Sequence, residues 1–493
     1  MPGLTSSISI GLSGLQAQQS ALNVVGNNIA NVNTPGYSRE VATLTTNASQ
    51  VQGQAYFGTG VSLNDVTSIR SNFLDLQIAQ STSVQAGASD RYTGVNTVAS
   101  VLGDTSSSGI GAEIQSFFQS FQALAANPES SAARTSVVGA AQSMINSFQT
   151  NYQMLTQQRN TANQTVGSLV SQVNTLTSQI AKLNQQIMDS GSQSPDNAAM
   201  DQRTALTDQL SQLVGINVIN GSNGQYQITL DSGAATLVSG NSSFNLQTAP
   251  GGAALDNYSS VQSVMNGTTV DVTGSIKNGQ LGAQLDLRDN ILKGYQSQLD
   301  ELAAGISGRV NLLNRSGYAA NGVTTGTDIF LGGVANGANG LPATISAANN
   351  YQGMVNSLSV NAAVVSDPSL IAAAGVAGAA GDNSNANAMA NLQSATATVD
   401  TNGDGIGDSG PFSSVVENLV STVGNQAQSF QSQNTTQQNL LSALQTQRAQ
   451  ISSVSLDEEA THMMTLQTGY QASARFLNVI NQLTAGLITQ FGG

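Results

Sequence analysis

The chain has 493 residues, carries a net charge of −14 and contains neither cysteine nor tryptophan. Charged residues make up only 9% of it and basic residues form no cluster, so nucleic acid and anionic membranes are not expected as partners. The lack of cysteine excludes disulfides and thiol chemistry, while the length allows several domains and a sizeable core.

No targeting or membrane segment is visible near the start of the sequence. The first basic residue is Arg39, no long apolar run follows Met1, and no apolar stretch reaches the length of a membrane span. The sequence therefore predicts a protein that is either cytoplasmic or exported by a route that uses no cleaved signal.

The first predicted element is an amphipathic helix. Its apolar stripe consists of four residues spaced seven apart and three more on the same face: Ile8, Leu15, Leu22 and Ile29, with Leu12, Val25 and Val32. Pro35 disfavours helical backbone at the preceding residue, so the helix is expected to end near Asn33. Pro35, Gly36 and Tyr37 then predict a turn that redirects the chain.

The spacing of apolar residues changes twice in the next segments. Loose alternation over residues 41–63 predicts short strands, and the apolar spacing over residues 66–76 predicts a second helix. Asn127, Pro128 and Glu129 have the composition of a helix start, with an amide cap, a proline and an acid.

A long helix is the clearest prediction in the sequence. Apolar residues recur at steps of three and four from Ile145 to Ile187, with Arg159 and Ala162 as the weak members. This spacing is typical of a coiled coil, and the predicted helix is roughly 65 Å long.

Beyond residue 214 the pattern becomes β-rich, with Asn-Gly and Gly turns over residues 215–275. Helical spacing returns over residues 292–313, the Gly-, Ala- and Asn-rich residues 372–387 predict irregular surface, and a long helix is expected over residues 412–451. The chain ends with a second apolar stripe: Leu456, Met463, Tyr470 and Leu477, with Leu466, Ile480 and Leu487.

These elements predict an α+β fold in which the terminal segments form a long antiparallel helical bundle that carries an inserted β-rich outer domain. We expect three domains: 1–60 with 452–493 for coiled-coil assembly, 61–214 with 276–451 as a helical rod-like domain with irregular Gly/Asn-rich segments, and 215–275 as the β-rich insertion. Each terminal stripe needs a partner, either the other stripe, a neighbouring copy, or both.

Candidate chemistry is sparse. Asp400, Asn402, Asp404 and Asp408 have the spacing of a calcium loop, but the closing glutamate is missing, so no metal is predicted and calcium stays an alternative. The single histidine, His462, lies in a helical segment and is interpreted as a surface or interface residue. No catalytic residues and no cofactor are predicted.

Two motifs carry a family resemblance. ALNVVGNNIANVNTPGYSRE (residues 21–40) and LDEEATHMMTLQTGYQASARFLNVINQLTAGLI (residues 456–488) resemble the end motifs of bacterial flagellar axial proteins. Interior segments narrow this to the family of hook-associated protein 1, to which they are similar in order and spacing: FFQSFQALAANPESSAARTSVV, GQLGAQLDLRDNIL, VSDPSLIAAA and GDNSNANAMANL.

The resemblance implies a structural subunit at the junction of hook and filament, outside the cell. It implies export through the flagellar type III apparatus with a cytoplasmic chaperone bound to the C-terminal region. It also implies a ring of identical subunits that contacts the hook protein and a second junction protein. Three alternatives stay open: another axial subunit such as a hook or distal rod protein, an exported calcium-binding adhesin-like protein, and a hydrolase in residues 215–275.

Overall fold

The computed structural model describes residues 2–52, 55–102, 109–191, 196–221, 224–265, 267–332, 351–394, 397–399, 408–410 and 412–491. The helices are α1 (Pro2–Ala30), α2 (Asn72–Leu102), α3 (Ile110–Ala126), α4 (Ser131–Ser190), α5 (Asn197–Leu213), α6 (Gly279–Asp286), α7 (Leu292–Ser316), α8 (Met354–Ser357), α9 (Ala362–Ser366), α10 (Ser384–Asn391), α11 (Phe412–Ser452) and α12 (Leu456–Phe491). A π-helical turn, Leu287–Ile291, joins α6 to α7.

The strands are short and antiparallel. They are β1 (Glu40–Thr46), β2 (Gln50–Gln52), β3 (Ala55–Phe57), β4 (Val61–Ser68), β5 (Ile216–Asn220), β6 (Tyr226–Leu230), β7 (Thr236–Ser239), β8 (Ser242–Ser243), β9 (Leu246–Pro250), β10 (Ser259–Met265), β11 (Thr268–Asp271), β12 (Phe330–Leu331), β13 (Ser359–Val360), β14 (Ala397–Val399) and β15 (Asp408–Gly410). The predicted α+β class, with long terminal helices and an inserted β-rich region, is confirmed.

The inserted region contains two sheets, with strand orders β5-β6-β7-β8 and β11-β10-β9. Alternate residues of β6 point inward, so that Tyr226, Ile228 and Leu230 are buried while Gln227 is exposed. Their partners are helical, because Val166 and Val173 of α4 belong to the same apolar cluster. The strands therefore share a core with the second half of α4.

Helix α4 has 60 residues and connects two apolar cores. Its first half contributes Ile145 and Phe148 to a core built mainly with α2, α3, α7 and α11, and its second half contributes Val173 and Ile180 to the core with the strands. At 1.5 Å per residue the helix is about 90 Å long, longer than the spacing predicted.

Three sequence predictions need correction. The cap of α4 is Ser130, whose hydroxyl accepts from the Ala133 amide, whereas Asn127 closes the preceding helix α3. The helix predicted over residues 66–76 begins only at Asn72, because the preceding residues pair in β4. Residues 372–374, predicted as irregular surface, are buried alanines of the first core or its margin.

The terminal helices α1 and α12 pack against each other, and the β1–β4 ribbon packs on α1. Helix α1 ends at Ala30, slightly before the expected residue, and Gly36 takes a left-handed φ of +83° in the turn that follows. Within the ranges given above, no helix is both long and apolar enough to cross a membrane.

Candidate assembly site

Small residues line the contact between α1 and α12. A methyl group added to Gly11 would lie 2.8 Å from the Leu477 side chain, and one added to Gly14 would lie 3.2 Å from Ser473 Oγ. Further along, a methyl group on Gly469 would lie 3.2 Å from the Gln18 side chain. These contacts run in opposite directions along the two helices, so the pair is antiparallel, and the missing Cβ atoms allow a close approach.

Burial varies along the predicted stripe of α1. Val25 is buried, whereas Leu12 is 48% exposed. The remaining predicted residues are half-buried: Ile8, Leu15, Leu22, Ile29 and Val32. The buried strip consists of Gly11, Ala17, Ala21, Val25 and Asn28. Small residues at steps of three and four, beginning with the GLSG segment, are the sequence signal that could have revealed this strip.

Helix α12 keeps much of its apolar surface uncovered. The predicted residues Met463, Leu466, Leu477, Ile480 and Leu487 are half-buried, and Leu456 and Tyr470 are exposed. A further exposed set was missed by sequence reasoning: Met464, Phe476, Val479, Leu483 and Ile488. Phe476, Val479 and Leu483 recur at steps of three and four, and this spacing was a readable signal of a second apolar flank.

A buried polar joint ties the start of α12 to the turn after α1. Asn28 donates to the Glu40 carbonyl oxygen at 2.8 Å and to Glu459 Oε2 at 3.2 Å, and it accepts from the Tyr37 hydroxyl at 2.8 Å. Arg39 Nε donates to Glu459 Oε1 at 2.7 Å, while Asn28 and Glu459 are 1% and 2% exposed. Burial and the carboxylates of Glu40, Asp201 and Glu459 raise the pKa of Tyr37, so its hydroxyl stays a donor.

A second polar layer connects the joint to the helical body. The Ser38 amide donates to Asp201 Oδ2 at 3.1 Å, and Arg70 pairs with Asp201 Oδ1 at 2.8 Å. Desolvation raises the pKa of Asp201 and the nearby Arg70 opposes the shift. Asp201 lies in α5, so these bonds fix the direction in which the terminal pair leaves the body.

The remaining candidates for chemistry in the sequence are His462 and the residues with calcium-loop spacing. His462 is exposed on α12. The described residues contain no group of three acidic, histidine or cysteine side chains that could hold a metal ion. Asp400, Asn402 and Asp404 lie outside the described residues, and of Asp408 only the strand backbone is described.

Three family descriptions match the chain. "Flagellar hook-associated protein FlgK helical domain" matches residues 95–330, "Flagella basal body rod protein" matches residues 8–37, and "Flagellar basal body rod FlgEFG protein C-terminal" matches residues 445–489. The last two ranges contain the α1–α12 contact and the acidic start of α12.

Whole-length relatives agree with these matches. The chain is 28% identical to flagellar hook-associated protein 1 of Escherichia coli, over 98% of this chain and 100% of the relative. It is also 28% identical to the same protein of Bacillus subtilis, over 97% and 96%. Its fold resembles the flagellar hook junction protein FlgK from Burkholderia pseudomallei, with a TM-score of 0.63 and 19% identity over 77% of this chain and 100% of that chain.

A helical body with paired terminal helices and these matched segments define an axial structural protein of the bacterial flagellum. Within that class, the match over residues 95–330 and the relatives that cover nearly the whole chain are hook-associated proteins. The chain is similar to the FlgK family of flagellar hook-associated proteins along nearly its whole length.

Proposed function

We propose that copies of this chain form the ring that joins the hook to the filament, through their terminal helices. The observation that carries the proposal is the uncovered apolar surface of the α1–α12 pair, where Leu12, Tyr470 and Val479 are exposed. Burial of one large apolar side chain contributes about 1.5–3 kcal/mol, so several per subunit would tie ordering of loosely held terminal helices to assembly. The names of the relatives support the hook as the location.

In this proposal each segment of the chain has a different role. Residues 1–60 and 452–493 assemble through the stripe residues of α1 and α12, residues 61–214 and 276–451 form the outer helical rod, and residues 215–275 face solvent. The ring contacts the hook protein on one side and a second junction protein on the other. A cytoplasmic chaperone holds the C-terminal region before export through the type III apparatus, and the chain carries no catalysis, metal or cofactor.

A rod or hook subunit is the nearest alternative, because the rod descriptions match both chain ends. The match of a hook-associated helical domain to residues 95–330 favours the junction. Cells that lack the protein discriminate between the two: completed hooks without filaments, and flagellin in the medium, are expected for a junction subunit. A rod subunit would leave no hooks.

The terminal pair is tested with the full-length protein added to isolated hooks that lack it. Replacement of Leu477 and Ile480 by aspartate is expected to abolish ring formation seen by electron microscopy, with little change in melting of the free protein. Leu312→Asp, at an exposed leucine of α7, is the control and should leave rings intact. Rings formed normally by the Leu477/Ile480 variant would overturn the proposal.

A further inference from the structure

The β2–β3 hairpin presents apolar side chains to solvent. Val51 and Tyr56 are directly opposite each other in the antiparallel register and therefore share one face, and they are 60% and 76% exposed. Phe57, on the other face, is 51% exposed. A two-stranded hairpin alone is marginally stable in water, and exposed apolar groups of this size usually mark an interaction surface.

The base of the hairpin is fixed beside the N-terminal half of α1. The Val61 amide donates to Ser13 Oγ at 3.3 Å, and a methyl group on Gly60 would lie 3.4 Å from Ile10 Cα. Thr59 Oγ1 closes the base by donating to the Ala48 carbonyl oxygen at 2.7 Å. The hairpin therefore leaves the terminal pair at the level of residues 10–13.

The exposed flank of α12 lies at the same level of the terminal pair. Gly11 contacts Phe476 and Leu477, and the antiparallel course of the two helices places Val479 and Leu483 beside the turns of α1 that precede Gly11. The flank consists of Phe476, Val479 and Leu483, which are 42%, 53% and 53% exposed. The base of the hairpin and this flank of α12 thus lie at the same level along α1.

Both surfaces are nearly free of charge. Residues 47–60 contain no charged side chain, and Arg475 is the one charged residue between 463 and 493. These surfaces offer almost no charged side chains with which a charged partner could pair, whereas two identical chains can bury them without like-charge repulsion. Since the two surfaces differ, their contact is heterologous and continues from copy to copy around an axis.

We propose that the Val51–Tyr56 face of the hairpin in one copy docks on the Phe476–Val479–Leu483 flank of α12 in the neighbouring copy. This contact rests on the proposed side-by-side assembly of the terminal pairs and names the surfaces that meet. It makes the hairpin an assembly element in addition to the terminal helices.

The absence of native cysteine allows a direct test in full-length protein. Tyr56→Cys and Val479→Cys variants are purified separately, mixed, assembled on hooks and treated with a short bis-maleimide. We expect a cross-linked dimer in the mixture and none with either variant alone, because only neighbouring copies bring the two positions together. A Tyr56→Cys/Val479→Cys double variant should give a ladder of multimers.

Substitution gives a second readout. Tyr56→Ser is expected to reduce the fraction of hooks that carry a ring by roughly tenfold, as for loss of an interface hot spot. Val323→Ser, at a position that is also 76% exposed, is the matched control and should assemble normally. Both variants should melt like the unsubstituted protein.

The outcomes separate the two proposals. Rings that form without a cross-link in the mixture, or with a cross-link in Tyr56→Cys alone, would overturn the hairpin contact and leave the junction ring intact. Failure of the unsubstituted protein to form rings on hooks would overturn the proposed function and the hairpin contact with it.

Discussion

Glu459 is almost fully buried, and among the described residues its ion-pair partner is Arg39, whose Nε lies 2.7 Å from Oε1. We predict that Arg39→Ala lowers the stability of the joint by about 2–3 kcal/mol, because the carboxylate then stays buried without its cation. This loss is smaller than the loss expected for a fully buried pair, since Arg39 is 18% exposed. Hydrogen exchange at the amides of residues 459–463, the first of α12 that have helical acceptors, measures the change.

Glu458 provides the matched control for this ion pair. It also contacts Arg39, at 3.0 Å, but its side chain is 61% exposed. Glu458→Gln should therefore change the free energy of opening measured by hydrogen exchange by less than about 0.5 kcal/mol. Equal effects of Glu458→Gln and Glu459→Gln would show that burial of the joint contributes nothing.

Asp208 gives the fold a pH dependence. Burial raises its pKa to about 6, while Arg448, 3.8 Å away, lowers it and the nearby Asp75 raises it further. The folded state thus holds a proton that the unfolded chain releases, so this group stabilises the fold at low pH and the effect is lost as pH rises through about 6. We predict that Asp208→Asn removes about 1–3 kcal/mol of pH dependence between pH 4 and 7.

Urea unfolding at a series of pH values measures that difference. The unsubstituted protein should lose stability relative to the asparagine variant as pH rises through this window. Asp189→Asn, at an exposed position of α4, is the control and should track the unsubstituted protein throughout. Parallel pH profiles for the Asp208 variant and the parent would contradict the prediction.

At the scale of elements, the approach of α1 to α12 depends on glycine. We predict that Gly11→Val weakens the helix pair by about 1–3 kcal/mol, because the new side chain overlaps the place of Leu477. Gly26→Ala, at a glycine of α1 with no atom near the added methyl group, should instead strengthen the helix by up to about 1 kcal/mol. Exchange at amides of both terminal helices reports each effect, and loss of protection in both variants would rule out the steric explanation.

The same helices show how far the sequence could be read. Heptad spacing predicted both terminal helices and the proline turn, because apolar periodicity and backbone limits of Pro35 are local properties. The observed contact with α12 involves Gly11 and Gly14, residues whose small size carries no hydrophobic signal. Their role depends on a helix some 450 residues away in sequence, so the pattern of one helix could not indicate which residues of α1 face α12. That the predicted stripe forms the assembly interface stays a prediction.

Elements in the body show a similar limit. Arg159 was a weak member of an apolar period, yet it is buried and donates to the Arg288 carbonyl oxygen at 2.8 Å, to Gln296 at 2.8 Å and to Asp256 at 2.6 Å. Nothing local in the sequence indicates these partners, because they come from the π-helical turn, α7 and the β-rich insertion. The β-rich character of residues 215–275 was readable, but its dependence on α4 was not.

At the scale of the whole molecule, α4 links two apolar cores, and we expect that one core can unfold while the other stays folded. Its first half packs in a helical core with Phe117 and Leu299, and its second half packs with Ile228 and Val261 of the strands. We predict that replacing residues 216–271 by a short glycine linker exposes Val173 and its neighbours and removes protection from the second half of α4. Each uncovered apolar side chain costs about 1.5–3 kcal/mol, more than an isolated helix can supply.

Hydrogen exchange along α4 distinguishes this arrangement from an independent β domain. Amides of residues 137–155 should keep their protection in the shortened protein, because their core lacks any strand of the insertion, while amides of residues 166–181 should lose theirs. Removal of residues 456–493 is the control and should leave both halves protected, since α12 contributes no residue to either core. Full protection of residues 166–181 without the strands would mean that this part of α4 does not depend on them, and the insertion would then be an appendage that could be changed without cost to the rod.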